Sequence, residues 1–331
     1  MRAVWYTRQG PPAEVLELGE RPAPEPAAGE VRVRLFASAV NPSDCNRRAG
    51  RNHVMEFSLV IPNSDGAGVV DAVGEGVDPG RIGQRVWLYN AQRGRPFGTA
   101  AEFTCVPADL ATELPEGVTF EEGACLGIPA MTAHRCLFAD GQVEGLSVLV
   151  SGGGGAVGNY AVQLAKWGGA ALVLATASGG WKSADAAAAG ADRVIDHRRE
   201  DVARVALEMT GGRGVDRVVE VEFGGNVAIW SQAVARNGAV AAYASAAEPQ
   251  PRIPFAALMR RNVTLRGVLL NSAPIAARRQ AQADILAWLR GGRRLHRIAG
   301  RFPLAGTAAA HAMVEAGGKR GTVVVLPAAR G

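Results

Sequence analysis

Cysteine is scarce and unpatterned. The 331 residues hold four, Cys45, Cys105, Cys125 and Cys136, and no two form C-x-x-C. That excludes a zinc ribbon and a dithiol redox motif. So few cysteines in so long a chain also exclude a disulfide scaffold, and reduced thiols in a cytoplasmic protein are expected. Aromatics are only 6%, and Lys166, Lys182 and Lys319 are the only lysines among 36 basic residues. The net charge of +5 therefore rests on arginines scattered in pairs such as Arg47-Arg48 and Arg198-Arg199. Nucleic-acid binding needs basic residues gathered on one face with aromatics that stack on bases. Scattered pairs argue against such a partner. No apolar run nears the roughly 18 residues of a membrane span, and residues 1–8 carry no apolar signal core. Neither a membrane nor a leader is expected.

Apolar residues and glycine are plentiful: 48% of the chain is hydrophobic and 42 residues are glycine. A chain of this length and composition buries sizeable cores, about two of them. Residues 2–6, 30–39, 68–73, 84–88 and 101–106 read as short strands between Gly- and Pro-rich turns, which predicts an antiparallel, barrel-like domain. From residue 120 the pattern changes. Apolar strands at 147–150, 171–176, 193–195, 215–221 and 239–244 alternate with helices near 157–167, 181–189, 201–210 and 227–237. Such alternation of apolar strands with helices predicts an α/β, doubly wound parallel sheet. Residues 262–270 fit either a sixth strand or a return to the first domain. Residues 275–290 form an amphipathic helix, and the isolated strand 322–326 is expected to rejoin the N-terminal domain.

The strongest local motif runs Val150-Ser151-Gly152-Gly153-Gly154-Gly155-Ala156-Val157-Gly158. It contains G-x-G-x-x-G at Gly153, Gly155 and Gly158. The bare pattern is weak, but here it follows an apolar strand and opens a helix, the context that dinucleotide binding requires. A pyrophosphate needs a backbone without Cβ where it approaches and free N–H groups at a helix N-terminus. Gly155 is expected to admit the ligand and Gly158 to let helix and strand pack closely, with Ala156 and Val157 supplying first-turn N–H groups.

Cofactor choice is read after the second strand, where an NAD enzyme places an acid on the ribose. This chain has Ala177-Ser178-Gly179-Gly180-Trp181-Lys182, with no acid before Asp185. Ser178 and Lys182 suit a 2′-phosphate, so NADPH is favoured. The plainer reading of Lys182 is an exposed lysine in a helix's first turn. Asn41-Pro42-Ser43-Asp44 by itself reads as an Asx-type turn, and Asp44 and Asp65 read as structural acceptors rather than general bases. Glu220 and Glu222 end a central strand, at the rim where such folds bind ligands, or cap the following turn. His134 and His311 have no partner evident from spacing and read as structural.

Several segments in order carry a resemblance: Ala39-Val40-Asn41-Pro42-Ser43-Asp44, Pro62-Asn63-Ser64-Asp65-Gly66-Ala67-Gly68, Gly127-Ile128-Pro129-Ala130-Met131-Thr132-Ala133, the glycine loop, and Gly190-Ala191-Asp192-Arg193-Val194-Ile195-Asp196. Together with the order barrel, nucleotide domain, C-terminal return, they resemble the medium-chain dehydrogenase/reductase superfamily. Within it the chain is similar to the zinc-independent quinone oxidoreductase, or zeta-crystallin, family. The resemblance implies a Rossmann-type domain at 126–264 and a GroES-like β-barrel catalytic domain at 1–125, completed by 265–331. The active site is then the cleft between them.

Zinc alcohol dehydrogenases of the superfamily carry Cys where this chain has Asn41, His-Glu where it has Ser64-Asp65, and commonly Cys where it has Ile128. Asparagine, serine and isoleucine do not make the N/S set that catalytic zinc prefers, so no metal is expected. The resemblance places Asn41 and Thr132 beside the nicotinamide, and Asn46 and Arg48 with them around the substrate. It places Ser178, Lys182 and His197 at the adenosine end and Ser245 along the cofactor. The family's substrate tyrosine is Asn46 here, which weighs against a simple benzoquinone and towards an enone. The implied activity is NADPH-dependent reduction of quinones or α,β-unsaturated carbonyl compounds by a homodimer pairing through residues 263–270. The alternatives are an enoyl- or haloacrylate-type reductase for one metabolite, or an NADPH-binding RNA-binding or structural protein with little turnover.

Overall fold

The computed structural model describes residues 1–51, 54–291 and 294–327. They form two compact units: Met1–Ile128 with the segment from His296 onward, and Pro129–Leu295. No helix among the described residues is long and apolar enough to cross a membrane.

The first unit is built on a seven-stranded, mostly antiparallel sheet. Its strands run Ile298–Pro303, Thr322–Leu326, Glu30–Val40, Asp65–Val73, Arg85–Leu88 and Ala111–Glu113, and Phe103–Pro107 pairs on Glu30–Val40. Alternate residues of Glu30–Val40 point inward, and Val31, Val33, Leu35 and Ala37 are all buried, as the period of two demands. Thr322–Leu326 does rejoin this unit, pairing Val323 with Val40. Asn41-Pro42-Ser43-Asp44 does not stop at a turn. It opens the helix Pro42–Ala49, with Pro42 in its first turn and Gly50 in the left-handed conformation (φ 74°) closing it, the usual placement of both residues.

The second unit is a six-stranded parallel sheet, in the order Arg193–Asp196, Leu172–Ala177, Ser147–Val150, Val215–Glu220, Val234–Ala242 and Thr264–Gly267. This is the doubly wound order, with the chain reversing direction across the sheet at Ser147–Val150 and Val215–Glu220. Its central strand is buried throughout, and a core of Leu149, Leu174, Ile195, Val218, Trp230 and Val240 fills one face.

Two boundaries differ from expectation. The helix expected over 227–237 ends at Ala233, and the strand Val234–Ala242 starts at once, around a register shift opposite Val215 and Arg217. Residues 265–295 also do not return to the first unit. Thr264–Gly267 pairs in parallel with Val234–Ala242, and the helix Ile275–Gly291 is held by a 2.8 Å contact from Asp284 Oδ2 to His134 Nε2. The return comes at His296.

Candidate active site

Gly152 turns the chain after Ser147–Val150, in the left-handed region at φ 73°. Its N–H donates to Thr176 Oγ1 at 3.0 Å, and the Gly153 N–H donates to the Thr176 carbonyl at 2.9 Å. Thr176 thus ties the loop to the neighbouring strand, a role indistinguishable in sequence from that of any strand threonine. Each glycine has its own reason. A β-carbon on Gly158 would collide with the Gly152 carbonyl oxygen, and one on Gly153 would lie 2.7 Å from Ala175 Cβ. One on Gly154 would lie 2.7 Å from Lys182 Cα. Gly155 differs: its β-carbon would meet only the Gly152 carbonyl oxygen, at 3.2 Å. Internal packing does not demand a glycine there, so the missing side chain leaves room for approach from outside.

Gly155 caps the helix Ala156–Trp167. The first-turn N–H groups of Ala156 and Val157 have no intrahelical acceptor, and the helix dipole favours an anion at that end. A pyrophosphate fits this cradle. Asn159 stiffens it, donating from Nδ2 to the Asp185 carbonyl at 3.1 Å. Glu220 is spent on structure, accepting from Ser151 Oγ at 2.6 Å, the Glu222 N–H at 2.7 Å and Asn226 Nδ2 at 2.9 Å. Glu222 accepts from the N–H groups of Ala246 and Ala247.

Gly179 and Gly180 both take positive φ, 81° and 56°, where the chain leaves the second strand. Lys182 follows in the first turn of Gly180–Ala188, its Nζ 5.7 Å from the Trp181 ring centroid. The backbone N–H of His197 donates to Ala177 at 3.2 Å, which sets the exposed His197 beside Ser178. Lys182, Ser178, His197 and the glycine loop therefore come together. The nearby Asp196 carboxylate is engaged by the Arg198 N–H at 3.1 Å and by Arg199 Nε at 3.8 Å. Ser245 departs from expectation: its hydroxyl donates to the Glu248 carbonyl and accepts from the Gly224 N–H at 2.9 Å. With its one hydrogen committed, Ser245 shapes the 223–248 loop rather than donating to a ligand. Thr132, on the helix Gly127–Phe138, is buried.

In the first unit, Asn41 stands among buried polar groups. Its N–H donates to Asp44 Oδ2 at 2.8 Å, and its Nδ2 donates to Asp65 Oδ2 at 2.7 Å. Ser64 Oγ donates to Asp44 Oδ1 at 2.8 Å. Burial pushes the Asp44 carboxyl up. Burial first, and then the charge of Asp44, holds Asp65 well above the usual carboxylate range. Asn46, half-buried, makes no side-chain hydrogen bond among the described residues. Arg48 is not a lining residue. Its guanidinium is wholly enclosed, paired with Glu315 at 2.6 Å and donating to the Gly10 carbonyl, so its charge is neutralised inside the unit.

Among the described residues, no group of three or more His, Cys, Asp and Glu is placed to hold a metal ion. Cys125 is buried, and burial pushes its thiol up to about 12.

A glycine turn that opens a helix over a doubly wound sheet, in a chain whose other unit is built on a mostly antiparallel sheet, defines a nicotinamide-type oxidoreductase of the dehydrogenase/reductase class. Residues 27–116 match the alcohol dehydrogenase GroES-like domain, and residues 156–288 match the zinc-binding dehydrogenase family. The chain is 30% identical to the quinone oxidoreductase of Rattus norvegicus over 331 residues, covering 98% of each. It is 34% identical to the 2-methylene-furan-3-one reductase of Solanum lycopersicum over 250 residues, covering 72% of this chain and 64% of that one. A mycobacterial protein solved in complex with NADPH superposes with a TM-score of 0.83 at 30% identity, covering 99% of this chain and 100% of that one. The chain belongs to the quinone oxidoreductase family of the medium-chain dehydrogenase/reductases and is an oxidoreductase.

Proposed function

We propose that this protein reduces quinones or α,β-unsaturated carbonyl compounds with NADPH and without zinc. The observation that carries the reading is the meeting of the glycine loop with Lys182, at a strand end that runs Ala177-Ser178 and holds no acid. NADPH, when bound, supplies a hydride to an electron-poor acceptor. The loop's glycines admit the pyrophosphate, and Ala156 and Val157 hold it by backbone N–H groups. Ser178, Lys182 and His197 meet the 2′-phosphate. Thr132 and Asn41 stand at the nicotinamide end, where the Asn41 amide orients the acceptor's oxygen. The acceptor carries its own electron sink, so catalysis by this chain is chiefly positioning.

An enone reductase is the favoured form of this activity. Asn46 offers an amide in place of the aromatic hydroxyl usual in the family, which removes a stacking surface for flat quinones, and the tomato relative is named as a furanone reductase. The protein further pairs with a second copy through Thr264–Gly267, the open edge of the parallel sheet, where Leu265 and Leu269 are exposed.

Fluorescence titration with NADPH, followed by NADPH oxidation on 1,2-naphthoquinone and a panel of small enones, tests the reading. Turnover that a chelator leaves unchanged is expected. Tight NADPH binding without turnover on any acceptor overturns it in favour of a binding protein, and zinc-dependent turnover overturns the ligand argument.

A further inference from the structure

Asp65 opens the strand Asp65–Val73 and is wholly buried. One oxygen, Oδ2, accepts twice: from Asn41 Nδ2 at 2.7 Å and from the Ile128 N–H at 2.8 Å. The Asn90 backbone N–H faces the same carboxyl. The strand end has little freedom to shift, because Thr99 Oγ1 donates to the Asp65 carbonyl at 2.7 Å and is itself 2.7 Å from Ser38 Oγ. Gly127 completes the enclosure, since a β-carbon there would collide with the Asp65 carboxyl.

Asn41 is thus held twice. Asp44 takes its backbone N–H and Asp65 its side-chain amide. The last torsion of an asparagine is broad and roughly two-fold, so an unconstrained amide samples both orientations. A fixed carboxyl oxygen that accepts from Nδ2, and is itself pinned by the Ile128 N–H, selects one of them. The carbonyl and the second N–H of the amide then keep fixed directions.

We propose that Asp65 is a positioning residue for the reductase reaction, acting only through Asn41 by fixing which end of its amide faces the reacting groups. This rests on the reading of Asn41 given above. Asp65 is enclosed and touches neither cofactor nor substrate. Its removal therefore leaves NADPH binding intact and slows the step that Asn41 orients.

The test is a double-mutant cycle on kcat, with NADPH affinity measured separately by fluorescence. Asp65→Asn keeps the shape but puts an NH2 in place of one carboxyl oxygen, so the group no longer offers an oxygen to Asn41 whichever way it turns. It is expected to lower kcat by about tenfold or more while NADPH affinity stays within about twofold. In an Asn41→Ala background the same substitution is expected to cost almost nothing further. Gly127→Ala, whose β-carbon would collide with the Asp65 carboxyl, is expected to lower kcat in the same way and to be equally silent in that background. It serves if Asp65→Asn does not fold. Equal losses in both backgrounds overturn the proposal and leave the assignment of Asn41 standing. An Asn41→Ala variant with unchanged kcat overturns the assignment of Asn41, and the proposal with it.

Discussion

His311 Nε2 lies 2.9 Å from Asn63 Oδ1 inside the first unit, both side chains wholly buried. Asn63 Nδ2 donates to Ser38 Oγ at 3.0 Å, which turns Oδ1 toward the ring, so Nε2 carries the hydrogen. Nδ1 is left facing Cys45 Sγ at 3.5 Å. Burial, with the Arg48 charge second, lowers the imidazole from 6.5 to about 3, while burial pushes the Cys45 thiol up to about 12. The pair is neutral and serves packing.

An acid dependence follows. Unfolded His311 takes up a proton below 6.5, whereas the folded residue waits until about 3. The unfolded state therefore binds more protons in that window, and this site's stabilisation is lost as pH falls through it, by a few kcal/mol at about pH 4. Asp44 and Asp65, raised by burial, act with the opposite sign and penalise folding as pH rises. Urea unfolding of the wild type and of His311→Gln at a series of pH values isolates the histidine. The stability gap should narrow from pH 7 to 4, and a constant gap contradicts the account.

The glycine loop predicts two different outcomes for one methyl group. Gly158→Ala forces a β-carbon into the Gly152 carbonyl, so Tm and NADPH affinity should fall together, at a cost of about 1–3 kcal/mol. Gly155→Ala meets only the Gly152 oxygen at 3.2 Å. Its Tm should stay near wild type while NADPH binding weakens about tenfold or more. Parallel melts and titrations check this, and a matching loss of stability in both variants would show that Gly155 is a packing glycine.

At the adenosine end, Lys182→Glu should raise the KM for NADPH at least about tenfold while changing that for NADH little, since a carboxylate repels a 2′-phosphate and not a hydroxyl. Steady-state kinetics with both cofactors decide the matter. Equal effects would return Lys182 to an ordinary helix lysine.

Charges on the open sheet edge should separate the copies. Leu265→Glu with Leu269→Glu places like charges on what is now exposed apolar surface. Light scattering should report a dimer for the wild type and a monomer for the double variant. A wild-type monomer would end the proposal.

What the sequence discloses follows the range of each interaction. The glycine loop is legible because its chemistry is local: the strand, the turn and the helix start lie within a dozen consecutive residues. Thr264–Gly267 is legible only as one of two alternatives, a sixth strand or a return to the first domain. A short edge strand with three exposed residues lacks the apolar run that marks its five partners. Asn-Pro-Ser-Asp is ambiguous because the same residues suit a turn and a helix start, and only tertiary context extends it into Pro42–Ala49. The resemblance puts Arg48 around the substrate, and nothing local in the sequence discloses its partner, Glu315, which lies in the helix Thr307–Ala316 far along the chain. Asp65 reads correctly as an acceptor, but its donor, Asn41, is 24 residues away.

Thr322–Leu326 fills the place between Ile298–Pro303 and Glu30–Val40. During synthesis, Glu30–Val40 leaves the ribosome early and then waits for that neighbour on the order of tens of seconds. The whole parallel sheet is made in the interval and can finish first. Until translation reaches residue 322, the inner end of Glu30–Val40 is an uncovered strand edge, open to pairing with other nascent chains. For this protein, premature termination or slow decoding late in the message is a hazard to the half of the molecule that was made first.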